Sequence, residues 1–339
     1  MRIGIVGCGG IALGYAAWLA EEGHDPILWS PSGKSAAGLS GQDIEVTGVL
    51  ETRFRPVIAS DPQVLVEHAE VVIIAVPGYG HKAVIDAILP YAKSCNTFIV
   101  SAQLSLSARY LKEQLKAKGV NSSVIAWATT ALMSRRSGPT SISIGGIRTR
   151  LELATLPADN GVSGLGLCRE LFGDRFTEVD DITAIALSNL NPPIHLASAM
   201  CNFTRIEKAE YWANYDAITP SVARMIEVLD AERLAVAAAY GVKVRTVYDH
   251  YYLTFGFEPG MSLAEMAAAV HEKRKGPPGP TSLDTRFITE DVPFGIVPVI
   301  ALAEKRGVDV PLHKAGLTVV NALYGRNFEN ENDLLSWVA

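Results

Sequence analysis

The chain begins with an apolar run, Ile3-Gly4-Ile5-Val6-Gly7, that breaks into Cys8-Gly9-Gly10-Ile11-Ala12 before a stretch of good helix formers ending near Ala20. Apolar run, glycine turn and helical spacing in immediate succession predict a strand, a tight turn and a helix. The turn fits G-x-G-x-x-G/A, and its small residues have separate physical tasks. Gly7 permits the sharp turn, Gly9 lets the backbone approach a pyrophosphate, and Ala12 lets helix and strand pack closely. The helix N-terminus, with its unbonded N–H groups, then faces the phosphates. The pattern predicts a nicotinamide-dinucleotide site that includes Gly7, Gly9, Gly10, Ile11 and Ala12.

A glycine motif alone is a weak signal, and its context decides. A second strand candidate follows at Pro26-Ile27-Leu28-Trp29, and another spans residues 71–76 and closes on Pro77. Val76 and Pro77 therefore stand at the carboxyl end of a buried strand, where open α/β sheets place their ligands. His81, after the turn Gly78-Tyr79-Gly80, is a candidate site residue, but reads more readily as a surface histidine at a helix start. At the end of the second strand a chain specific for NAD usually carries an acid for the ribose 2′-hydroxyl. This chain has Ser30-Pro31-Ser32-Gly33-Lys34 there. Ser30, Ser32 and Lys34 offer two hydroxyls and an ammonium with no carboxylate to repel a 2′-phosphate, which favours NADP and leaves NAD as the alternative. Residues 97–102 and 123–128 read as further strands, and 141–156 as β-rich edge structure turning at Gly145-Gly146. The fold class is α/β: an N-terminal Rossmann-type doubly wound sheet over residues 1–182.

Beyond Asp180-Asp181 the periodicity turns helical, so residues 183–339 are expected to form a mainly α-helical C-terminal domain for substrate and catalysis. Residues 221–239 carry an apolar stripe of Val222, Met225, Ile226, Leu229 and Leu234. The loop at residues 273–280, KRKGPPGP, interrupts the helices. Trp212, Tyr215, Tyr251, Tyr252 and Phe255 read as core aromatics. The segment SNLNPPIHLASAMCNFTRIE is different: it sets Asn189, Asn191 and His195 on an otherwise apolar stretch beside Pro192 and Pro193. Polar groups in such a place need partners or a substrate. Spacing alone leaves a satisfied core histidine and a catalytic one equally open.

Thirty basic against thirty-six acidic residues leave a net charge of −6. With no basic stripe, nucleic acid is excluded as the main partner and a small molecule is favoured. No apolar run is long enough to span a membrane. Cys8, Cys95, Cys168 and Cys201 are scattered without metal-ligand spacing, so no metal site is expected and the thiols read as reduced packing residues of a cytoplasmic protein. A helical second domain can bury its apolar faces internally or across the two-fold axis of a homodimer.

The stretch TSLDTRFITEDVPFGIVPVIALAEKRG places Arg286, Glu290 and Asp291 before a proline-punctuated apolar run, with Pro293 as the expected helix start. Seen alone, Arg286 and Asp291 are a plausible surface pair, and Glu290 has no evident task. Taken with the GCGGIA turn, the N-x-N-x-x-x-H stretch and YDAITPSVARMIEVLDAERLAVAAAYGV, the block GPTSLDTRFITEDVPFGIVP resembles the opine dehydrogenase family along nearly the whole chain. The R-x-x-x-E-D-V-P block joined to N-x-N-x-x-x-H is the restrictive part of that resemblance. It implies an NAD(P)-dependent enzyme that joins the amine of an amino acid, or another amine, to a 2-oxo acid through an imine, or runs the reverse oxidation. It further implies His195 as acid/base, Asp291 as its partner, and Arg286, with Asn191 nearby, as substrate-binding groups. Thr285 stands where family members often carry a histidine. The rival readings are a ketopantoate-reductase-like enzyme acting on a plain 2-oxo acid, and a non-catalytic NADP-sensing protein.

Overall fold

The N-terminal apolar run is a central strand. In this computed structural model, which describes residues 1–157, 161–274 and 276–338, Arg2–Val6 pairs in parallel with Asp25–Trp29 on one side and Val71–Ile74 on the other. Ile3, Ile5 and Val6 are fully buried, as expected of a strand covered on both faces. The eight-stranded sheet runs, in spatial order, Phe176–Glu178, Leu151–Leu156, Val124–Trp127, Thr97–Val100, Val71–Ile74, Arg2–Val6, Asp25–Trp29 and Val57–Ile58. Its pairings are parallel except where Leu151–Leu156 runs antiparallel to Val124–Trp127. The order reverses at the first strand, so the crevice that a doubly wound sheet offers a ligand opens beyond the carboxyl ends of Arg2–Val6 and Val71–Ile74.

A second sheet, of four strands, is absent from the sequence expectation: Thr52–Phe54, Ile44–Gly48, Ser141–Ile147 and Leu132–Gly138. It pairs Ser141–Ile147 in parallel with the distant Ile44–Gly48. Residues 141–156 are accordingly two strands in different sheets, and Gly145-Gly146 is no turn. The two glycines lie at a register shift of Ser141–Ile147 against Leu132–Gly138. A Cβ on Gly146 would meet only the movable end of the exposed Met133 side chain, 2.4 Å away.

The helix Gly10–Glu21 packs tightly on this small sheet. A Cβ on Gly10 would lie 2.6 Å from Cα of Arg135, and one on Gly14 would lie 2.7 Å from Cβ of Ser134. Gly10 is thus needed for strand approach. Tyr15, from the same helix, meets Trp127 and Phe172 edge-on in the core.

By its internal contacts the chain divides into two units, Met1–Ala186 and Leu187–Ala339, with the division inside the short helix Ile182–Leu187. The second unit is helical, and its main helices are Asn191–Cys201, Pro220–Ala239, Val247–Phe255, Leu263–Arg274, Val297–Arg306 and Pro311–Tyr324. Leu263–Arg274 extends into the stretch expected to be a loop, of which Lys275 lies outside the described residues. On Pro220–Ala239 the apolar face holds Val222, Ile226 and Leu229, while Met225 and Leu234 are half-buried. The same face buries Asp230, Glu232 and Arg233, and their presence explains why the stripe is narrower than the spacing predicts. Of the aromatics expected in the core, Trp212 and Tyr251 are buried, and Tyr215, Tyr252 and Phe255 are half-buried. Among the described residues no helix is long and apolar enough to cross a membrane.

Candidate active site

Gly7 has φ of +125°, and a Cβ there would lie 2.6 Å from the Ala75 carbonyl oxygen, so the turn needs glycine on both counts. Its N–H donates to the Trp29 carbonyl at 2.7 Å, tying the turn to the second strand. Gly9 is the N-cap residue of Gly10–Glu21, and nothing lies within 4 Å of the Cβ it lacks. A constricted turn followed by an open helix mouth fits a pyrophosphate. Ala12 is buried and Ile11 is half-buried. Val76 and Pro77, both half-buried, follow the strand Val71–Ile74, and the Val76 side chain approaches Gly7.

His81 is not a surface residue. It is fully buried, its Nε2 donates to the Val76 carbonyl at 3.1 Å, and its Nδ1 lies 2.9 Å from the Ser107 hydroxyl. A histidine that holds the carbonyl next to the glycine turn is a structural clamp. In the loop after the second strand, Ser30 is buried with its hydroxyl 2.8 Å from that of Ser35. Ser32 and Lys34 are exposed. Arg136, which no sequence motif marks, reaches this same region from the small sheet.

Cys8 and Cys168 are packing residues, and burial pushes their thiols up to about 11 and about 12 respectively. Cys95 and Cys201 are exposed, contrary to the packing role expected of them. All four are free.

In the helical unit, Asn191–Cys201 opens with Asn191, Pro192 and Pro193, where missing N–H groups cost nothing. The Asn191 N–H donates to Asn189 Oδ1 at 3.0 Å, and Asn191 itself is exposed. One turn further on the helix stands His195. Its Nδ1 is 2.6 Å from Oδ2 of Asp291, with side chains 19% and 10% exposed. The imidazole is stacked on Phe287, centroids 3.6 Å apart and planes within 8°. Among the described residues Nε2 has no hydrogen-bond partner.

The backbone explains the encounter. Arg286–Thr289 forms a helical turn capped by Thr285, whose hydroxyl accepts from the Phe287 N–H at 3.3 Å. Asp291 caps a π-helical segment, Val292–Ile296, that runs into Val297–Arg306. Pro293 stands in the first turn of this segment, just after Asp291 as the spacing predicts, where its missing N–H leaves no regular bond unmade; the segment itself is π-helical, which the sequence did not suggest. The Pro293 carbonyl accepts from Asn332 Nδ2 at 2.8 Å. Gly295 lets this segment lie against the histidine helix, since a Cβ would fall 2.4 Å from Cγ of Pro192.

Burial is the largest influence on Asp291 and pushes its carboxyl above the usual range. The hydrogen bond and charge of His195 pull it back, the Glu290 carboxylate raises it, and the Arg286 charge lowers it. The ion pair in this block is Arg286 Nε with the buried Glu290 carboxylate, one helical turn apart, rather than Arg286 with Asp291. Arg286 keeps 72% of its side chain exposed. Glu290, without a task in the sequence, holds the arginine.

A glycine-turn dinucleotide fold and a helical unit with a histidine–carboxylate pair define an NAD(P)-dependent oxidoreductase. Residues 178–324 match the family model "NAD/NADP octopine/nopaline dehydrogenase, alpha-helical domain", and residues 3–158 match "Ketopantoate reductase PanE/ApbA". An opine dehydrogenase of Arthrobacter sp. (strain 1C) is 26% identical, the alignment covering 98% of this chain and 93% of that protein. An octopine dehydrogenase solved with NADH and L-arginine superposes with a TM-score of 0.79 at 18% identity, over 95% of this chain and 89% of that one. An NADP+-bound yersinopine dehydrogenase gives 0.73 at 16% identity, over 100% and 98%. The chain is similar to opine dehydrogenases along nearly its whole length and carries their helical domain over residues 178–324; it is an NAD(P)-dependent oxidoreductase acting on CH–NH bonds.

Proposed function

We propose that this protein reductively couples the amine of an amino acid, or a simple amine, to a 2-oxo acid, with NADPH as the preferred reductant, and catalyses the reverse oxidation. The observation that carries this reading is the 2.6 Å contact of His195 Nδ1 with Asp291 in the helical unit. Bound NADPH supplies the hydride. Gly7, Gly9, Gly10, Ile11, Ala12, Val76 and Pro77 would hold it, with Ser32 and Lys34 near the adenosine ribose and Ser30 fixing their loop.

Condensation adds the amine nitrogen to the keto carbon, and the carbinolamine then loses water to give the imine. That loss needs a proton on the departing hydroxyl, and His195 Nε2 is the donor. Asp291 holds Nδ1, so the ring presents its other nitrogen in one orientation. As water leaves, Nε2 would take up the proton that the carbinolamine nitrogen loses, and His195 would give it back to that nitrogen when the imine carbon is reduced to the secondary amine. Arg286, steered by Glu290, offers a planar fork to a substrate carboxylate. Asn191, exposed and one helical turn before His195, would add a substrate contact from the same helix face. Four free thiols accord with a reducing cytoplasmic setting, and a homodimer is part of the same reading.

The test mixes protein, NADPH, pyruvate and a panel of L-amino acids and amines, and follows absorbance of the reduced cofactor. Oxidation that requires both keto acid and amine supports the reading. The match of residues 3–158 to ketopantoate reductase favours a second reading. Oxidation with keto acid alone would establish that alternative, and no oxidation would point to a sensor.

A further inference from the structure

Arg136 lies on the strand Leu132–Gly138, and its Nη2 donates to two main-chain carbonyls, Cys8 at 3.0 Å and Ser35 at 2.5 Å. Cys8 belongs to the glycine turn. Ser35 belongs to the loop after the second strand and is hydrogen-bonded to Ser30. One guanidinium from a different sheet thus spans the two segments that, in a strand–glycine turn–helix–strand unit, flank the adenosine ribose of a dinucleotide.

Two features show that its polar partners are incomplete. Nε is buried and has no hydrogen-bond partner, although buried donors are nearly always satisfied. Among the described residues no carboxylate lies within 4.0 Å of Arg136, whose side chain is half-buried against carbonyl oxygens. A half-buried cation without an acid, beside a phosphate-binding turn, calls for an anion. Its place is built in by the backbone, because Gly10 admits Arg135 and Arg136 to the helix start: a Cβ there would lie 2.9 Å from the Arg136 nitrogen.

We infer that Arg136 recognises the 2′-phosphate of NADP and is the main determinant of NADP over NAD in this chain. Ser30 is turned inward on Ser35, and Ser32 and Lys34 are exposed, so those three contribute less. The guanidinium keeps the carbonyls through Nη2 and has Nη1 for a phosphate oxygen, with the charge of the whole planar group, Nε included, left uncompensated by any acid, a geometry that a lysine cannot reproduce. The inference rests on the reading that the first unit binds a nicotinamide dinucleotide.

The experiment is equilibrium binding by calorimetry to NADP+, NAD+, 2′-AMP and 5′-AMP for the wild type, Arg136→Gln and Lys34→Met. Glutamine keeps a donor for one carbonyl and removes the charge. The expected result is a loss of NADP+ affinity of about tenfold or more in Arg136→Gln, the scale of a charged hydrogen bond, with NAD+ affinity unchanged. Binding of 2′-AMP should fall with NADP+, 5′-AMP should not, and Lys34→Met should lose less than Arg136→Gln. Equal losses for both dinucleotides would show that Arg136 serves the shared pyrophosphate or merely the turn, and would overturn the inference. So would unchanged NADP+ affinity, or a wild type that prefers NAD+. Should Arg136→Gln fail to fold, Arg136→Lys carries the test, with the same selective loss expected and the same outcomes overturning it. A wild type that binds neither dinucleotide would instead sink the functional reading itself.

Discussion

The imidazole of His195 lies flat on the ring of Phe287, with centroids 3.6 Å apart and planes 8° from parallel. With Nδ1 held by Asp291, the stack leaves the ring a single orientation. Stacked aromatic pairs contribute roughly 0.5–1.5 kcal/mol beyond their buried area. Phe287→Leu is therefore predicted to lower kcat by about two- to tenfold without changing dinucleotide affinity, and Phe287→Tyr, which keeps the ring face, should restore most of the rate. Equal kcat in the leucine variant and the wild type would remove Phe287 from the site.

His195→Ala is predicted to cut turnover by about 100-fold or more, the usual scale of general acid–base catalysis, while NADPH binding measured directly stays near the wild-type value. The two quantities separate because the histidine belongs to the helical unit and the glycine turn to the other. A fall of less than about tenfold would show that another group transfers the proton.

Arg286 and Glu290 form an ion pair of unequal partners, one 72% exposed and one 4%. The buried acid anchors the exposed base, and the guanidinium is aimed from there. Replacing Arg286 by lysine keeps the charge and loses the fork, so KM for the 2-oxo acid is predicted to rise about 10- to 100-fold, the scale of a charged hydrogen bond. Glu290→Gln should raise it by less, through a less well held arginine. If both variants keep the wild-type KM, the substrate carboxylate is bound elsewhere.

The glycine turn and the parallel strands were legible because local sequence determines them: an apolar run, a glycine with positive φ and a helix mouth lie within one short segment. His195, Arg286 and Asp291 were legible as a motif, and their contact across 96 residues was not. It depends on Gly295 fitting against Pro192, a packing event that no spacing reveals. The small sheet was missed because Ser141–Ile147 finds its parallel partner in the distant Ile44–Gly48, a pairing that no local pattern reveals. Arg136 drew no reading from the sequence for the same reason: its partners, Cys8 and Ser35, come from elsewhere in the chain. The pairing of Arg286 with Glu290 was within reach, since a separation of four residues is the helical one, but no helical turn was expected before Pro293.

Asp230 and Arg233 form a buried ion pair in the helical unit, with side chains 5% and 1% exposed and Nη2 2.6 Å from Oδ1. The guanidinium also donates to the Leu187 and Arg245 carbonyls, and Asp230 accepts from the Val247 N–H at 2.9 Å. The pair therefore pins the end of the helix Ile182–Leu187 and the entry to Val247–Phe255 to Pro220–Ala239. Arg233→Met leaves a buried carboxylate without its cation, which typically costs about 3–5 kcal/mol. Denaturant unfolding should show that loss, and the Asp230→Asn/Arg233→Met double variant should recover part of it. A cost below about 1 kcal/mol for Arg233→Met would mean that water reaches the carboxylate.

Asp291 gives the pH dependence its sign. Burial, reinforced by Glu290, raises its folded-state pKa above the ordinary carboxylate value despite His195 and Arg286. A carboxyl with a raised pKa binds its proton more tightly in the folded protein, so its contribution to stability is full below the unfolded pKa and is lost as pH rises through the folded one. Asp291→Asn mimics the protonated acid at every pH and can still accept a hydrogen bond from His195 Nδ1. The variant is therefore predicted to gain stability relative to wild type at neutral pH, with the advantage shrinking as pH falls towards the ordinary carboxylate range. It should also lose most of its turnover, because a neutral partner does not support a charged imidazolium. Denaturant midpoints of both proteins at a series of pH values test the sign. A variant advantage that grows on acidification would mean that the aspartate is held ionised in the folded state, with the His195 interaction outweighing burial.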